Sequence, residues 1–252
     1  MPRFFVDPEA VSGERIIVTE GDCNHIRNVL RMRVGDRLTV CDGQGTDYNC
    51  EIASFSDTDC VLTIVERTDS RVELPIRITL YQGLPKRDKL EFIVQKAVEL
   101  GAVRIVPTVC ERTIGRLDDA KREQRKTERL RAIAESAAKQ SGRGILPEIF
   151  APMTYAAAIR EAKESGACVL LPYENAIGMK PTKEAIDEAV AKGDIAVFIG
   201  PEGGFSRAEV AAAEEAGARI ISLGRRILRT ETAGLTVLSA LMLEAEIRGE
   251  SE

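Results

Sequence analysis

The spacing of apolar positions divides the chain into two stretches. Through residue 70 the apolar residues come in short β-branched runs: Arg15 to Val18, Arg37 to Val40, Tyr48 to Ala53 and Val61 to Val65. Turn residues separate these runs, as expected for short strands. Asp42-Gly43-Gln44-Gly45 marks a hairpin. Asp22 to Arg31 departs from this pattern and predicts a short helix with Asp22 as its N-cap. Residues 1–70 therefore predict a small β-barrel domain. Glu66 to Pro75 is polar, charged and ends in proline, which reads as a linker.

From residue 76 to 252, continuous apolar runs alternate with stretches of helical period. Ile76 to Leu80, Val103 to Val106, Ala167 to Leu171 and Ile195 to Ile199 predict strands buried on both faces, the mark of a parallel sheet. Asp88 to Leu100 predicts an amphipathic helix with Leu90, Ile93, Val94, Ala97 and Val98 on one face, closed by Gly101. The second half of the charge-dense segment Arg116 to Arg143 has apolar residues at helical spacing, and Ala185 to Val190 predicts a further short helix. The expected class is α/β.

The stretch from Ile195 to Glu246 carries the most information. Its first strand runs into Gly200, Gly203 and Gly204, where the backbone is free to approach a ligand. Ser206 and Glu209 fit a capping box that starts a helix. Arg219 to Gly224 predicts the next strand, and the loop Arg225 to Glu231 leads to an apolar helix. Two loops at the carboxyl ends of neighbouring strands are where α/β proteins bind ligands. Neither loop carries GxGxxG or GK[ST], so a dinucleotide or phosphate cradle is not expected.

Composition narrows the class further. With 44% hydrophobic and 30% charged residues, the chain builds a core and a polar surface. A net charge of −5 argues against indiscriminate coating of nucleic acid, while leaving room for local basic patches. Six cysteines without a CxxC pair and a single histidine, His25, make a metal site unexpected. MPRFFVDPEA has no apolar core of a secretion signal, and Leu235 to Leu243 is too short to span a bilayer, so a cytoplasmic protein is expected.

IGPEGGFSRAE followed by LGRRILRTETA closely resembles the knotted SPOUT RNA methyltransferases, and within them the small-subunit rRNA uridine N3-methyltransferase family, RsmE. Arg3-Phe4-Phe5, His25, Val29-Leu30-Arg31 and Gly35-Asp36 match that family's amino-terminal PUA-like barrel. Lys96, Glu99, Leu100, Gly101 and Pro107, then Gln140, Ser141 and Arg143, match its central helices. Leu130 and Ser136 depart from the pattern, standing where tryptophan and an acid are usual.

The resemblance implies a PUA-like RNA-binding barrel over residues 1–70, then a SPOUT domain over 76–252. That domain would have a parallel sheet, a C-terminal trefoil knot and a homodimer surface on the last helix. It implies methylation of uridine N3 in 16S rRNA, at position 1498, on the small ribosomal subunit. The cofactor would be S-adenosylmethionine, with no metal and no membrane partner. Expected around the cofactor are Leu171, Glu174, Gly200, Gly203, Gly204, Leu223, Gly224, Ile227, Leu228 and Ala233. Arg229, Glu231 and Glu202 are expected to act on the uracil, either in catalysis or as a loop-shaping Arg229–carboxylate ion pair. Arg3, Arg27, Arg31, Arg33, Lys86, Arg87, Lys89 and Arg143 are expected to contact RNA. The alternatives are a SPOUT enzyme acting on a ribose 2′-hydroxyl or a tRNA base, and a non-catalytic RNA-binding assembly factor. A dinucleotide-dependent dehydrogenase lacks its glycine fingerprint.

Overall fold

The computed structural model describes residues 2–70, 72–86, 89–114 and 119–250. The chain forms two compact units, Met1–Glu73 with Ala138–Leu146, and Leu74–Ala137 with Pro147–Glu252. A single cut near residues 70–76 does not describe this division, because residues 138–146 group with the first unit.

The first unit contains strands β1 (Arg3–Phe5), β2 (Val11–Ser12) and β3 (Arg15–Thr19), helix α1 (Glu20–Asn24), and strands β4 (Arg37–Cys41), β5 (Thr46–Phe55) and β6 (Asp59–Asp69). They form a six-stranded sheet of order β1-β4-β5-β6-β3-β2, antiparallel except for the β1–β4 pair. Alternate residues fill one core: Ile16 and Val18, Leu38 and Val40, Cys50 and Ile52, Cys60 and Leu62. Helix α1 packs on β3 and β6, and Cys23 and Ile26 join the same core. Register shifts at Asn49/Cys50 and Ile52/Ser54 help the sheet to bend.

Two local expectations change here. Asp22 lies inside α1, whose N-cap is Thr19, and its carboxylate accepts from Lys139 Nζ at 3.3 Å. One π-helical turn, His25–Val29, continues the chain. Glu66 to Asp69 extend β6 rather than forming a linker, because their backbone pairs with β5.

The second unit contains β7 (Arg77–Gly83), α2 (Lys89–Glu99), β8 (Ala102–Val109) and α3 (Ala120–Ser141), whose last turn groups with the first unit. After these come β9 (Glu148–Ile149), β10 (Met153–Thr154), α4 (Tyr155–Glu164), β11 (Cys168–Pro172), α5 (Met179–Lys192) and β12 (Asp194–Ile199). The unit ends with α6 (Arg207–Glu215), β13 (Arg219–Ile221) and α7 (Thr230–Gly249). Every strand pairing is parallel, in the order β10-β8-β7-β12-β11-β13 with β9 beside β8.

The strands are apolar on both faces because helices cover both. Ala196 and Phe198 of β12 join the core under α4 and α6, with Phe198 stacked on Tyr81 at 4.4 Å. Ile195, Val197 and Ile199 alternate to the opposite face, where α5 and α7 pack on β12 and α2 packs on α7. The loops after β7, β11, β12 and β13 leave the carboxyl edge of one sheet.

Helix α7 buries Val237, Leu238, Leu241 and Ala245 but leaves Leu243 and Ile247 57% and 60% exposed. Its apolar circumference is therefore not fully covered within the chain.

Candidate active site

The glycine loop begins where β12 ends. Ser206 caps α6 through a complete capping box, its hydroxyl accepting from the Glu209 N–H while the Glu209 carboxylate accepts from the Ser206 N–H. That box holds the far end of the loop. Glu209 also accepts from the Glu111 N–H at 2.8 Å, and Arg112 Nη1 donates to the Gly203 carbonyl at 2.9 Å. A Cβ on Gly203 would stand 2.9 Å from Arg112 Cβ, and Gly204 takes φ +66°, so neither position suits a side chain.

The second loop is anchored differently. Ser222 and Thr182 exchange hydrogen bonds, the Ser222 N–H donating at 3.0 Å and the Thr182 hydroxyl donating to the Ser222 carbonyl at 2.9 Å. This diverts Ser222 from the sheet, so β13 stops at Ile221 instead of reaching Gly224. Thr230, at the start of α7, donates to the Gly200 carbonyl at 2.6 Å and accepts from Gln82 Nε2 at 2.9 Å.

Between these loops lies a cleft of about 520 Å³, within the range of small-molecule sites. Gly200, Gly203, Gly204, Leu223, Gly224, Ile227, Leu228, Ala233 and Glu174 all line it, as do Glu202 and Arg229. Leu171 does not: it is fully buried in the sheet core, and the lining begins at Pro172. Ile227 lines the cleft but is 89% exposed, so the apolar wall is open on that side. Tyr173, Ile199, Phe205, Arg225, Arg226, Thr230 and Lys89 also contribute to the lining and were not assigned to it from sequence.

The carboxylates take a different cation from the one expected. Lys89 Nζ lies 3.2 Å from Glu202 Oε1 and 3.2 Å from Glu231 Oε2. The Lys86 N–H adds bonds to both Glu202 oxygens, at 3.0 and 3.2 Å. Burial alone would raise the Glu202 pKa. Bonds from its own N–H, the Lys86 N–H and Lys89 outweigh that effect and hold it below the usual value. Arg229 is exposed and makes no ion pair among the described residues, so the expected Arg229–carboxylate pair is absent from them.

The cationic residues assigned to RNA separate into several groups. Arg27, Arg31 and Arg33 are exposed on the first unit. Arg27 lies over the Phe55 ring at 5.5 Å, and Arg31 takes φ +55°, a conformation rare outside glycine. Arg3 is committed internally, donating to Cys41 Sγ at 2.7 Å, to the Gly142 carbonyl and to Asp47. Arg143 is 3% exposed and paired with Glu73 at 2.6 Å. A guanidinium held in this way has no face left for phosphate, which corrects the expectation for Arg143 and reduces it for Arg3. Lys86 is exposed, Lys89 sits in the cleft, and Arg87 lies outside the described residues.

Comparison with known proteins agrees with this geometry. Residues 72–242 match the RNA methyltransferase domain family, and residues 18–65 match the RNA methyltransferase PUA domain. The chain is 35% identical over 256 aligned residues to ribosomal RNA small subunit methyltransferase E of Bacillus subtilis, covering 99% of this chain and all of that one. A Neisseria gonorrhoeae ribosomal RNA small subunit methyltransferase E, solved bound to S-adenosyl methionine, aligns with a TM-score of 0.83 and 30% identity. That alignment covers 96% of this chain and 97% of the other. A putative methyltransferase from Legionella pneumophila, in complex with the cofactor SAM, aligns at 0.78 and 29% identity over the same shares.

Proposed function

The chain belongs to the ribosomal RNA small subunit methyltransferase E family, and we propose that it transfers the methyl group of S-adenosylmethionine to N3 of a uridine in 16S rRNA. The observation that carries this reading is the cleft itself. It is small-molecule sized, walled by glycine backbone and apolar side chains, and lined by Lys89, Glu202 and Arg229, with Glu231 held outside the lining by Lys89. These residues suit the cofactor: the loops offer backbone donors and acceptors with Ile199, Leu223 and Leu228 as apolar contacts, and they contain no phosphate cradle. When bound, the cofactor supplies an electrophilic methyl group on a sulfonium centre.

The protein's part is orientation and proton handling. Holding donor and acceptor in line accounts for much of the rate. Uracil N3 bears a proton at neutral pH and becomes nucleophilic only as that proton leaves. Glu231 or Glu202 takes the proton, and Arg229 stabilises the negative charge developing on a uracil oxygen. Arg27, Arg31 and Arg33 of the PUA-like unit, with Lys86, meet the RNA backbone. The substrate is the small ribosomal subunit and the site of action the cytoplasm.

Two features of the second unit support the finer fold and assembly. Strand β13 lies beyond β11 at one edge of the sheet, while α7 returns to pack on β12 and α2. Such a doubling back suits a trefoil knot. The exposed Leu243 and Ile247 on α7 suit a homodimer in which a second copy covers that face.

The test is nucleoside mass spectrometry of unmodified small subunits after incubation with the protein and labelled S-adenosylmethionine. Label on uridine N3 is expected. Label on ribose would move the target to a hydroxyl. No label together with no cofactor binding would leave an RNA-binding assembly factor.

A further inference from the structure

We infer that Lys89 is a positioning residue for the proton-transfer step, its ammonium holding together the Glu202 carboxylate at the cleft and the Glu231 carboxylate beside it. The inference rests on the methyl-transfer reading above. The three residues come from three elements: Lys89 opens α2, Glu202 lies in the glycine loop after β12, and Glu231 lies in the first turn of α7. One nitrogen bonds both carboxylates at 3.2 Å, and all three side chains are partly exposed, at 33%, 26% and 18%. This is therefore an ion cluster reached by solvent.

The arrangement has a chemical consequence. Two carboxylates bonded to one atom are close enough to repel each other, and removing the cation between them favours protonation of one. A carboxylate that already carries a proton cannot accept one from uracil N3. Lys89 favours the ionised form of Glu202, so that the proton leaving N3 finds an empty acceptor oxygen. The bonds to Glu202 and Glu231 raise the Lys89 pKa, so the ammonium persists across the working range.

Other charges near the cluster are accounted for among the described residues. From α2, Glu91 is paired with Arg129 and Lys96 with Glu99. Lys86 contributes its backbone N–H, while its side chain is exposed. Glu174, Arg225, Arg226 and Arg229 line the cleft without an ion pair to the cluster among the described residues. Lys89 is thus the cation bonded directly to both carboxylates.

The test compares the wild type with Lys89→Met and Lys89→Arg in two measurements. The first follows the titration of the Glu202 side-chain carboxyl carbon by NMR, without cofactor or RNA. In Lys89→Met the Glu202 carboxyl is expected to titrate at higher pH, and in Lys89→Arg to stay near the wild-type position. The second is the pH profile of kcat and KM for methyl transfer to small subunits. Lys89→Met is expected to lose about tenfold or more in kcat at pH 6.5 and to recover as the pH rises, with KM for RNA little changed. Lys89→Arg is expected to stay within about threefold of wild type.

Unmoved carboxyl titrations would overturn the inference whatever the activity, and this arm also applies if the protein transfers no methyl groups. Moved titrations with an unshifted acid limb would overturn the link to proton transfer. A raised KM for RNA with kcat and pH profile unchanged would make Lys89 a phosphate contact instead. Moved titrations in a wild type that methylates nothing would defeat the methyl-transfer reading, and the catalytic role of Lys89 with it. Equal cofactor affinity and thermal midpoint across the three proteins exclude a folding defect.

Discussion

Thr230 and Gly200 are joined by a hydrogen bond of 2.6 Å, from the hydroxyl on the first turn of α7 to the carbonyl just after β12. Gln82 Nε2 donates to the same hydroxyl from β7. A buried side chain, 5% exposed, thus ties both cleft loops to the centre of the sheet. Thr230→Val keeps the shape but leaves the Gly200 carbonyl and the Gln82 amide each short of a partner. The expected cost is about 1–3 kcal/mol of stability, read from urea unfolding, with weaker cofactor binding by calorimetry.

Arg229 precedes α7 at the N-cap position but makes no side-chain capping bond. Truncation should therefore leave the helix intact. For Arg229→Ala, kcat is expected to fall about 10²–10³-fold, as when one oxyanion donor is removed. Cofactor affinity should stay within about threefold. Calorimetry and single-turnover methylation separate these effects, and a large loss of cofactor affinity would make the residue a wall of the binding site.

Gly83 ends β7 directly beneath the glycine loop. A Cβ there would stand 2.6 Å from Pro201 N and 2.8 Å from the Gly200 carbonyl carbon, both backbone atoms with little freedom to move. Gly83→Ala is expected to displace the loop at a cost of about 1–3 kcal/mol. Cofactor affinity should fall about tenfold or more while circular dichroism stays native.

Arg143 and Glu73 form a pair with side chains only 4% and 13% exposed, and Glu73 also accepts from the Gly144 and Ile145 N–H groups. Arg143→Met removes the cation and strands the carboxylate. The expected loss is about 3–5 kcal/mol, measured by chemical denaturation. If Arg143 were instead an RNA contact, stability would be unchanged and RNA affinity reduced.

All six cysteines are buried and unpaired. Burial pushes Cys41, Cys60 and Cys110 up to about 12 and Cys50 to about 11. Because the reactive form is the thiolate, alkylation of the folded protein at pH 8 should be at least about tenfold slower than in denaturant. Mass spectrometry of iodoacetamide adducts over time checks this.

How much of this was legible beforehand depended on how far apart the interacting residues lie in sequence. The capping box of Ser206 and Glu209 spans three residues and was readable, as were the hairpin at Asp42 to Gly45 and the closure of α2 by Gly101. The start of α3 was not. Its first turns carry Lys121, Arg122, Arg125 and Lys126 with little apolar signal, and solvated pairs such as Lys126–Glu123 lend them support. Arg3 and Arg143 read as RNA contacts because nothing nearby in sequence reveals Asp47 or Glu73. Lys89 stands 142 residues from Glu231, so only the folded chain brings the two together. Most residues that line the cleft lie in one continuous stretch, so its glycines and their flanking motifs stand out in the sequence. Leu171 was misplaced by one position, Pro172 being the first residue of its strand to reach the lining.

The return of residues 138–146 to the first unit bears on how the protein is made. A ribosome emits the chain from its amino end, so the sheet of β1 to β6 is complete long before Arg143 leaves the exit tunnel to meet Glu73. At about 5–20 residues per second, the nascent first unit waits several seconds with that carboxylate unpaired. A fragment ending at Glu73 lacks the residues 138–146 that group with this unit. For the same reason, a transplant of the complete first unit must carry residues 138–146 as well as its amino-terminal stretch.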